Sequence, residues 1–126
     1  MQTKCAVFRS DKTLKEGVNE IRKPLDGMND LSVGDKSLIF NTDLVETLEF
    51  DNLISQALTT MDSAYNRKES RAAHAREDFK KRDDKNFMKH TLAWQDGDKV
   101  SIKYRDIHAR TLSNDVQYFP PKERVY

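Results

Sequence analysis

The chain has 126 residues, of which 37% are hydrophobic and 34% charged, so we expect one domain with a small core and a heavily charged surface. Its 22 Lys and Arg residues nearly balance 21 Asp and Glu residues, which argues against a dedicated nucleic-acid-binding protein because such proteins usually carry a basic excess. The single cysteine, Cys5, excludes an internal disulfide framework, and no apolar run approaches the roughly 20 residues that cross a membrane.

A helix is predicted within the sequence SDKTLKEGVNEIRKPLDGM, after a short N-terminal stretch that we interpret as a helical turn. Thr13 and Glu16 have the spacing of a capping box, in which a hydroxyl and a carboxylate bond the free N–H groups at a helix start. Apolar residues then recur at intervals of four, three and four on one face, namely Leu14, Val18, Ile21 and Leu25. Pro24 and Gly27 mark the end of this helix.

The longest helix is predicted to run from about Leu44 to Ser70, a stretch free of proline and glycine. Asn41, Thr42 and Asp43, just before it, are all common N-cap residues. At 1.5 Å per residue, about 27 residues would span roughly 40 Å, which is too long for the first helix alone to cover. The predicted core of the two helices consists of Leu14, Val18, Ile21, Leu44, Leu48, Ile54, Leu58 and Met61.

A segment of mixed charge follows, and it begins with NRKESRAAHARED at residues 66–78. Residues 66–85 carry eight Lys and Arg residues and five Asp and Glu residues. A phosphate-binding stripe does not normally include so many acids, because each repels the backbone it must approach. Ion pairs with another protein surface or within the fold are therefore favoured. His74 is a candidate general base beside acids, but a hydrogen-bonded structural histidine is the commoner role.

A β-hairpin is predicted within HTLAWQDGDKVSIKYRDI. Val100, Ile102 and Tyr104 alternate with polar residues, as in a strand with two different faces, and Asp96-Gly97-Asp98 supplies turn residues. Cross-strand packing explains Trp94 and Tyr104 without a ligand. The final sequence, LSNDVQYFPPKERVY, contains two adjacent prolines and is expected to run extended over a surface.

Four of these stretches, in this order, resemble the last part of the flavoprotein subunit of succinate dehydrogenase and fumarate reductase: NTDLVETLEFDNL, NRKESRAAHARED, RDDKNFMKHTLAW and PPKERVY. The resemblance runs from residue 1 to residue 126. It implies a mainly α fold, an antiparallel three-helix bundle similar to a spectrin repeat, followed by a small β-hairpin and an extended C-terminal tail. The domain would cover residues 1–126, with a helical part over about 1–75 and the hairpin and tail over about 86–126.

The resemblance also implies that this chain has no catalytic, cofactor-binding or metal-binding residue, because those groups of the family lie upstream. The whole enzyme of that family oxidises succinate to fumarate and passes electrons through FAD and iron–sulfur centres to quinone. We therefore expect this chain to be inactive alone. The implied partners are the upstream FAD-binding and capping domains and the iron–sulfur subunit, with no nucleic acid. The implied location is the cytoplasmic face of the bacterial inner membrane or the matrix side of the mitochondrial one.

The chain departs from the family pattern at three positions. The family commonly has SRGAH where this chain has Ala72, and an alanine there would allow the long helix to continue further than in relatives. The family often has a proline where this chain has Lys80, and a tryptophan where it has Phe87. These changes affect the local geometry that can be carried over from the family.

Three functions remain open at this point. The first is a structural domain whose charged segment contacts other domains and subunits through Arg71, His74, Arg76, Asp78 and Arg82. Because an exposed ion pair contributes only about 0–1 kcal/mol, replacing Arg71 and Arg76 would then barely disturb the isolated domain. The alternatives are a free-standing helical binding module that uses residues 66–85 on an acidic protein or RNA, and a small enzyme centred on His74. If the charged segment contacts no partner, it is instead a solvated helix end with local salt bridges.

Overall fold

The computed structural model describes residues 1–122. Residues 123–126, which include part of the tail motif PPKERVY, lie outside the described residues. The elements, in chain order, are β1 (Phe8–Arg9), α1 (Asp11–Asp26), a 3₁₀ turn (Met28–Asp30), α2 (Thr42–Asn66), β2 (Ala75–Arg76), α3 (Asp84–Phe87), β3 (Lys89–Asp96) and β4 (Lys99–Asp106).

Helix α1 begins three residues earlier than the predicted capping box. Ser10 is the N-cap: its hydroxyl accepts a hydrogen bond from the Thr13 N–H (3.2 Å), and the Thr13 hydroxyl accepts one from the Ser10 N–H (3.0 Å). Glu16 instead accepts a hydrogen bond from Lys4 (2.7 Å). The predicted end is confirmed, since Gly27 follows the helix as its C-cap.

Helix α2 begins where the sequence predicts, with the Asn41 side chain accepting a hydrogen bond from the Leu44 N–H (2.8 Å). It ends at Asn66, so the predicted extension to Ser70 is wrong. Ala72 does not continue a helix: its φ is +51°, and it lies in a tight turn closed by two hydrogen bonds between the backbones of Arg71 and His74 (2.9 and 3.0 Å).

The core lies where α1 packs against the second half of α2. Leu14, Leu58, Met61 and Ile54 are buried as predicted, and Val18 packs against this core while staying partly exposed. A Cβ at Gly17 would lie 2.7 Å from the Met61 methyl group, so glycine is what lets the helices approach here. The core prediction is wrong for two residues in the first half of α2, because Leu44 and Leu48 are exposed.

Two small sheets complete the fold. Strands β1 and β2 pair in parallel, with Arg9 opposite Arg76. Strands β3 and β4 form the predicted antiparallel hairpin, and Gly97 at its turn takes a positive φ of +59°, which glycine adopts without steric cost. Trp94 on β3 is 51% exposed, and the Lys103 ammonium lies 5.5 Å from its ring centre.

The predicted fold class, a mainly α antiparallel three-helix bundle, is wrong for the described residues. Residues 1–7 form a single helical turn, with the Cys5 N–H bonded to the Met1 carbonyl (2.7 Å), and then enter β1. After α2 the chain runs extended or turns, and α3 has only four residues. Only α1 and α2 therefore pack as long helices, and the β1–β2 sheet lies in the part of the chain where the bundle was expected. Within residues 1–122, none of the helices has the length and apolarity that a membrane span requires.

Candidate functional site

Glu69 lies at the centre of the charged segment, and its side chain is fully buried. It accepts hydrogen bonds from Arg67, from Arg71 (2.9 and 3.0 Å) and from the Asp83 N–H (2.9 Å). Burial alone would raise the pKa of Glu69, but the hydrogen bonds from Arg71, Asp83 and Arg67 outweigh it and hold that pKa below its usual value. Glu69 is thus an ionised internal anchor rather than an exposed acid.

Arg76 forms a second buried ion pair, and the residue is only 1% exposed. Its guanidinium donates two hydrogen bonds to Asp78 (2.7 and 2.6 Å) and reaches Asp11 at 3.5 Å. It also donates to the carbonyls of Tyr65 (3.4 Å) and Arg67 (3.3 Å) at the end of α2. The hydrogen bonds from Arg76 lower the pKa of Asp78 to about 2. This one side chain therefore connects the start of α1, the end of α2 and β2.

The carboxylate of Asp78 has a second role at the start of α1. It accepts a hydrogen bond from the Asp11 N–H (3.0 Å), one of the N–H groups that a helix leaves without an internal partner. A carboxylate at this end also interacts favourably with the helix dipole. The Arg76–Asp78 pair thus fixes β2 against the first turn of α1.

His74 is half-buried between three guanidinium groups. An arginine side chain can only donate, so the contact of 2.6 Å from Arg9 Nη1 makes the Nδ1 atom of His74 an acceptor. The proton is then on Nε2, which donates to the Arg67 carbonyl (2.9 Å). Burial, together with the positive charges of Arg9, Arg76 and Arg67, lowers the pKa of His74. The imidazole is therefore neutral and held in one tautomer.

A third group of ion pairs lies nearer the surface. Arg71 Nη2 donates to Asp84 (2.6 Å), and Arg82 donates to the same carboxylate (2.8 Å). Arg82 also donates to the carbonyl of Lys122 (2.7 Å), which ties the C-terminal tail to this segment. Residues 107–122 form neither helix nor strand, so this bond is one of the features that position the tail.

The structure brings Arg71, Arg76, Asp78 and Arg82 into ion pairs within the chain, and places His74 among them. The expectation that the arginines form exposed pairs is wrong for Arg76, whose side chain is fully buried. Four arginines of the segment pair with acids inside the fold, so it offers a nucleic acid or acidic protein less free positive charge than its composition suggested. The proposed contact with other domains stays a prediction.

Sequence reasoning missed the partners that complete these pairs, namely Arg9, Asp11, Arg67, Glu69 and Asp84. A signal was present, because opposite charges stand two residues apart at Arg67-Lys68-Glu69, Arg76-Glu77-Asp78 and Arg82-Asp83-Asp84. Residues two apart share a face only in an extended chain. The prediction of a helix through Ser70 hid that pattern.

The chemistry of this cluster is structural. Its acids accept from arginines or backbone N–H groups, and its histidine is bonded at both nitrogens, so the geometry does not set up a general base beside a reactive group. Within residues 1–122, the His, Cys, Asp and Glu side chains form no group of three or more suited to hold a metal ion.

Comparisons with known proteins give a consistent result. A family model described as fumarate reductase flavoprotein C-term matches residues 1–126. Over its whole length the chain is 52% identical to the mitochondrial succinate dehydrogenase [ubiquinone] flavoprotein subunit of Oryza sativa, of which it covers 20%. It is 50% identical to the succinate dehydrogenase flavoprotein subunit of Rickettsia bellii, of which it covers 21%.

Solved structures agree with these relatives. The chain superposes on a variant of the E. coli quinol fumarate reductase flavoprotein with a TM-score of 0.83 and 33% identity, covering 100% of this chain and 21% of that one. A quinol-fumarate reductase solved with menaquinol molecules gives a TM-score of 0.76 and 35% identity over 86% of this chain and 19% of that one. The chain thus spans about a fifth of the length of the proteins it matches.

Proposed function

Because the chain belongs to the family of fumarate reductase flavoprotein C-terminal domains, we propose that it is the structural C-terminal domain of a succinate dehydrogenase flavoprotein and has no catalytic role of its own. The observation that carries this proposal is the match of all 126 residues to a family model described as the C-terminal part of the flavoprotein, together with coverage of about a fifth of each relative's length. The paired state of the acids and arginines in residues 67–84 supports the non-catalytic part, because paired groups stabilise a fold rather than exchange protons with a substrate.

The whole enzyme, in this proposal, oxidises succinate to fumarate and passes electrons through FAD and iron–sulfur centres to quinone. The FAD would be held by the rest of the flavoprotein, in its FAD-binding and capping domains. The iron–sulfur subunit would be a further partner, at the matrix or cytoplasmic face of a membrane. The names of the relatives, which include mitochondrial and bacterial flavoprotein subunits, support this assignment.

We propose that this domain docks on the rest of the flavoprotein partly through an apolar patch, defined as Leu38, Ile39, Phe40, Leu44, Val45 and Leu48. All six side chains are exposed, and Phe40 is 96% exposed. Phe40 also has a positive φ of +48°, which is uncommon for a bulky residue and is typical of functional positions. Six exposed apolar side chains within eleven consecutive residues support an interaction site, because large exposed apolar patches commonly mark such sites.

The charged segment belongs to the same proposal. Arg71, His74, Arg76, Asp78 and Arg82 would contribute to the contact with the other domains and the iron–sulfur subunit. The buried Arg76–Asp78 pair would act by holding the segment in shape. Arg71 and Arg82 keep 30% and 22% of their side-chain surface exposed, which leaves them charge to present to a neighbour.

Mass spectrometry of the native complex tests this function. This chain should travel with a flavin-bearing polypeptide and an iron–sulfur subunit. Replacing Leu48 and Phe40 by Ser should release it, since they lie in the apolar patch, whereas replacing Leu112, which is 94% exposed but outside the patch, should not. A chain that purifies without any flavin-bearing partner from its native source would contradict the proposal.

A further inference from the structure

An open cleft of about 570 Å³ lies between α2, β3, the end of β1 and the turn before β2. Gln56, Thr60 and Ser63 line one wall from a single face of α2, because they are spaced four and three residues apart. Arg9 and His74 also line it. None of the lining side chains is acidic, which gives this cleft a positive character that the near-neutral chain lacks.

Arg9 is the unbalanced charge in this cleft. Its guanidinium donates to the carbonyls of Ala6 (2.5 Å) and Cys5 (3.2 Å) and to His74 (2.6 Å). Those acceptors are neutral, and among residues 1–122 no carboxylate lies within ion-pairing distance of Arg9, in contrast to Arg67 and Arg76. A guanidinium has five N–H donors, so Arg9 is fixed in position and still has donors to offer.

The neutral wall has spare donors as well. The side chains of Gln56, Thr60 and Ser63 form no hydrogen bond with another residue in the part of the chain that the structure describes, whereas the neighbouring Thr59 hydroxyl bonds the Ser55 carbonyl (3.0 Å). Each of these groups can also accept a hydrogen bond, but in a cleft that contains the fixed guanidinium of Arg9 their N–H and O–H groups complete a set of hydrogen-bond donors. Oxygen anions are the ligands that such a set binds best.

We infer that the cleft binds one oxyanion group, a carboxylate or a phosphate, with Arg9 as the charged contact and Gln56, Thr60 and Ser63 as neutral donors. The group comes either from a free small anion or from an acidic side chain of the rest of the flavoprotein. Binding of an acidic side chain of the flavoprotein rests on the proposed function, whereas binding of a free anion does not. A metal cation is disfavoured by the same features, because arginine has no lone pair to coordinate it.

His74 provides a direct readout, since it lies in the cleft and its pKa is already lowered by burial and by the surrounding guanidinium groups. The experiment is an NMR pH titration of this chain with and without sulfate, an oxyanion that does not itself titrate in this range, at constant ionic strength set with chloride. Sulfate bound beside Arg9 should raise the pKa of His74, because a nearby anion favours the charged imidazole. His90 and His108, which do not line the cleft, are internal controls.

Two variants test the contacts. Arg9→Gln should weaken sulfate binding at least about tenfold, since it removes the charged donor, while Arg110→Gln makes the same change of net charge outside the cleft and should have no effect. Because Arg9→Gln also removes bonds to Cys5 and Ala6, Gln56→Glu provides a second test that leaves them in place. The new carboxylate should raise the pKa of His74 without sulfate and abolish the response to sulfate.

The two sources give different outcomes. A response to sulfate that Arg9→Gln removes identifies a site for free anions. No response, combined with a roughly tenfold or larger loss of association between Arg9→Gln and the flavin-bearing part of the flavoprotein, identifies a protein carboxylate as the ligand. The inference is overturned if sulfate leaves His74 unchanged and Arg9→Gln leaves association intact, or if the parent responds to sulfate and Gln56→Glu responds equally. The sulfate titration uses this chain alone, so it stands even if the proposed function fails.

Discussion

Ala72 is a single residue whose backbone is strained by its own side chain. Its φ of +51° lies in the left-handed region, where a Cβ costs roughly 1–2 kcal/mol. We expect Ala72→Gly to stabilise the chain by roughly 0.5–1 kcal/mol, because the relief exceeds the extra entropy of an unfolded glycine. The midpoint of urea unfolding measures this. Ala73→Gly is the matched control, since Ala73 has no positive φ and should lose about 0.5–1 kcal/mol.

Arg76 and Arg82 differ in burial, so their removal should differ in cost. Arg76→Ala removes a fully buried guanidinium together with its hydrogen bonds to Asp78 and to the carbonyls of Tyr65 and Arg67, for which we expect a loss of about 1–3 kcal/mol. Arg82→Ala breaks a pair with a partly exposed acid and should cost about 0–1 kcal/mol. Denaturant unfolding of the two variants gives the comparison. Equal losses would show that burial does not set the strength of these pairs.

Residues whose pKa is lowered in the folded state, among them His74 and Asp78, should make the chain less stable in acid. The pKa of His74 is lowered in the folded state, so unfolded chains bind the proton more readily and stability falls as the pH drops below about 6.5. The pKa of Asp78 is lowered to about 2 by Arg76, so its contribution is complete above about pH 4 and is lost as the pH falls toward 2. Unfolding midpoints measured from pH 8 to pH 3 should therefore fall in two steps, and His74→Gln should remove the step near neutrality.

The two halves of helix α2 have different surroundings, although their sequence pattern is similar. Leu58 is fully buried against α1, whereas Leu48, ten residues earlier, is 65% exposed. Leu58→Ala should cost about 2–5 kcal/mol because it leaves a cavity, and Leu48→Ala should change the stability of this chain by less than about 0.5 kcal/mol. The midpoints of thermal or urea unfolding of the two variants measure this difference. A midpoint for Leu58→Ala close to that of the parent would show that the helices are not packed through Leu58.

At the level of elements, the sequence predicted those helix ends and turns that depend on residues close together in the chain. The N-cap Asn41, the end of α1 at Gly27 and the hairpin turn at Gly97 were predictable because each depends on local chemistry. The end of α2 was not, since the reason for it is long-range: Arg76 donates to the carbonyls of Tyr65 and Arg67. The parallel pairing of β1 with β2 was missed for the same reason, because two-residue strands carry no periodic signal.

The candidate site was predictable only in part. The charged segment was recognised and four of its five proposed residues do form ion pairs, but the segment also contacts Arg9 and Asp11, which lie elsewhere in the chain. The cleft beside His74 needs α2, β1 and β3 at once, so no stretch of sequence contains it. The exposed Leu44 and Leu48 show the same limit, because a periodic stripe indicates that a face is apolar without indicating what covers it.

For the whole molecule, the family assignment predicts how the isolated chain behaves. Purified alone, it should bind no FAD and should not reduce a dye in the presence of succinate, because the family's cofactor and substrate groups lie upstream. Absorption spectroscopy and a dye assay check this, with the complete flavoprotein as the positive control. A yellow protein with a flavin spectrum, purified from this chain alone, would contradict the prediction.

The whole molecule has the fold of its family, since it superposes on a family member with a TM-score of 0.83, but that fold is not the three-helix bundle that we expected. The resemblance predicted three long helices, yet this chain has two, and α1 is preceded by a single turn at Met1–Cys5. The error therefore lies in the architecture attributed to the family and not in the assignment of this chain to it.

The position of Trp94 determines which part of the structure the intrinsic fluorescence of this protein reports on. It is the only tryptophan of the chain, and it stands half-exposed on the hairpin rather than in the helical core. Its intrinsic fluorescence therefore follows the hairpin and the approach of Lys103, while far-ultraviolet circular dichroism follows mainly α1 and α2. A fluorescence melting curve and a dichroism melting curve are, for this protein, measurements of two different parts of the structure, and their coincidence would show that the parts unfold as one.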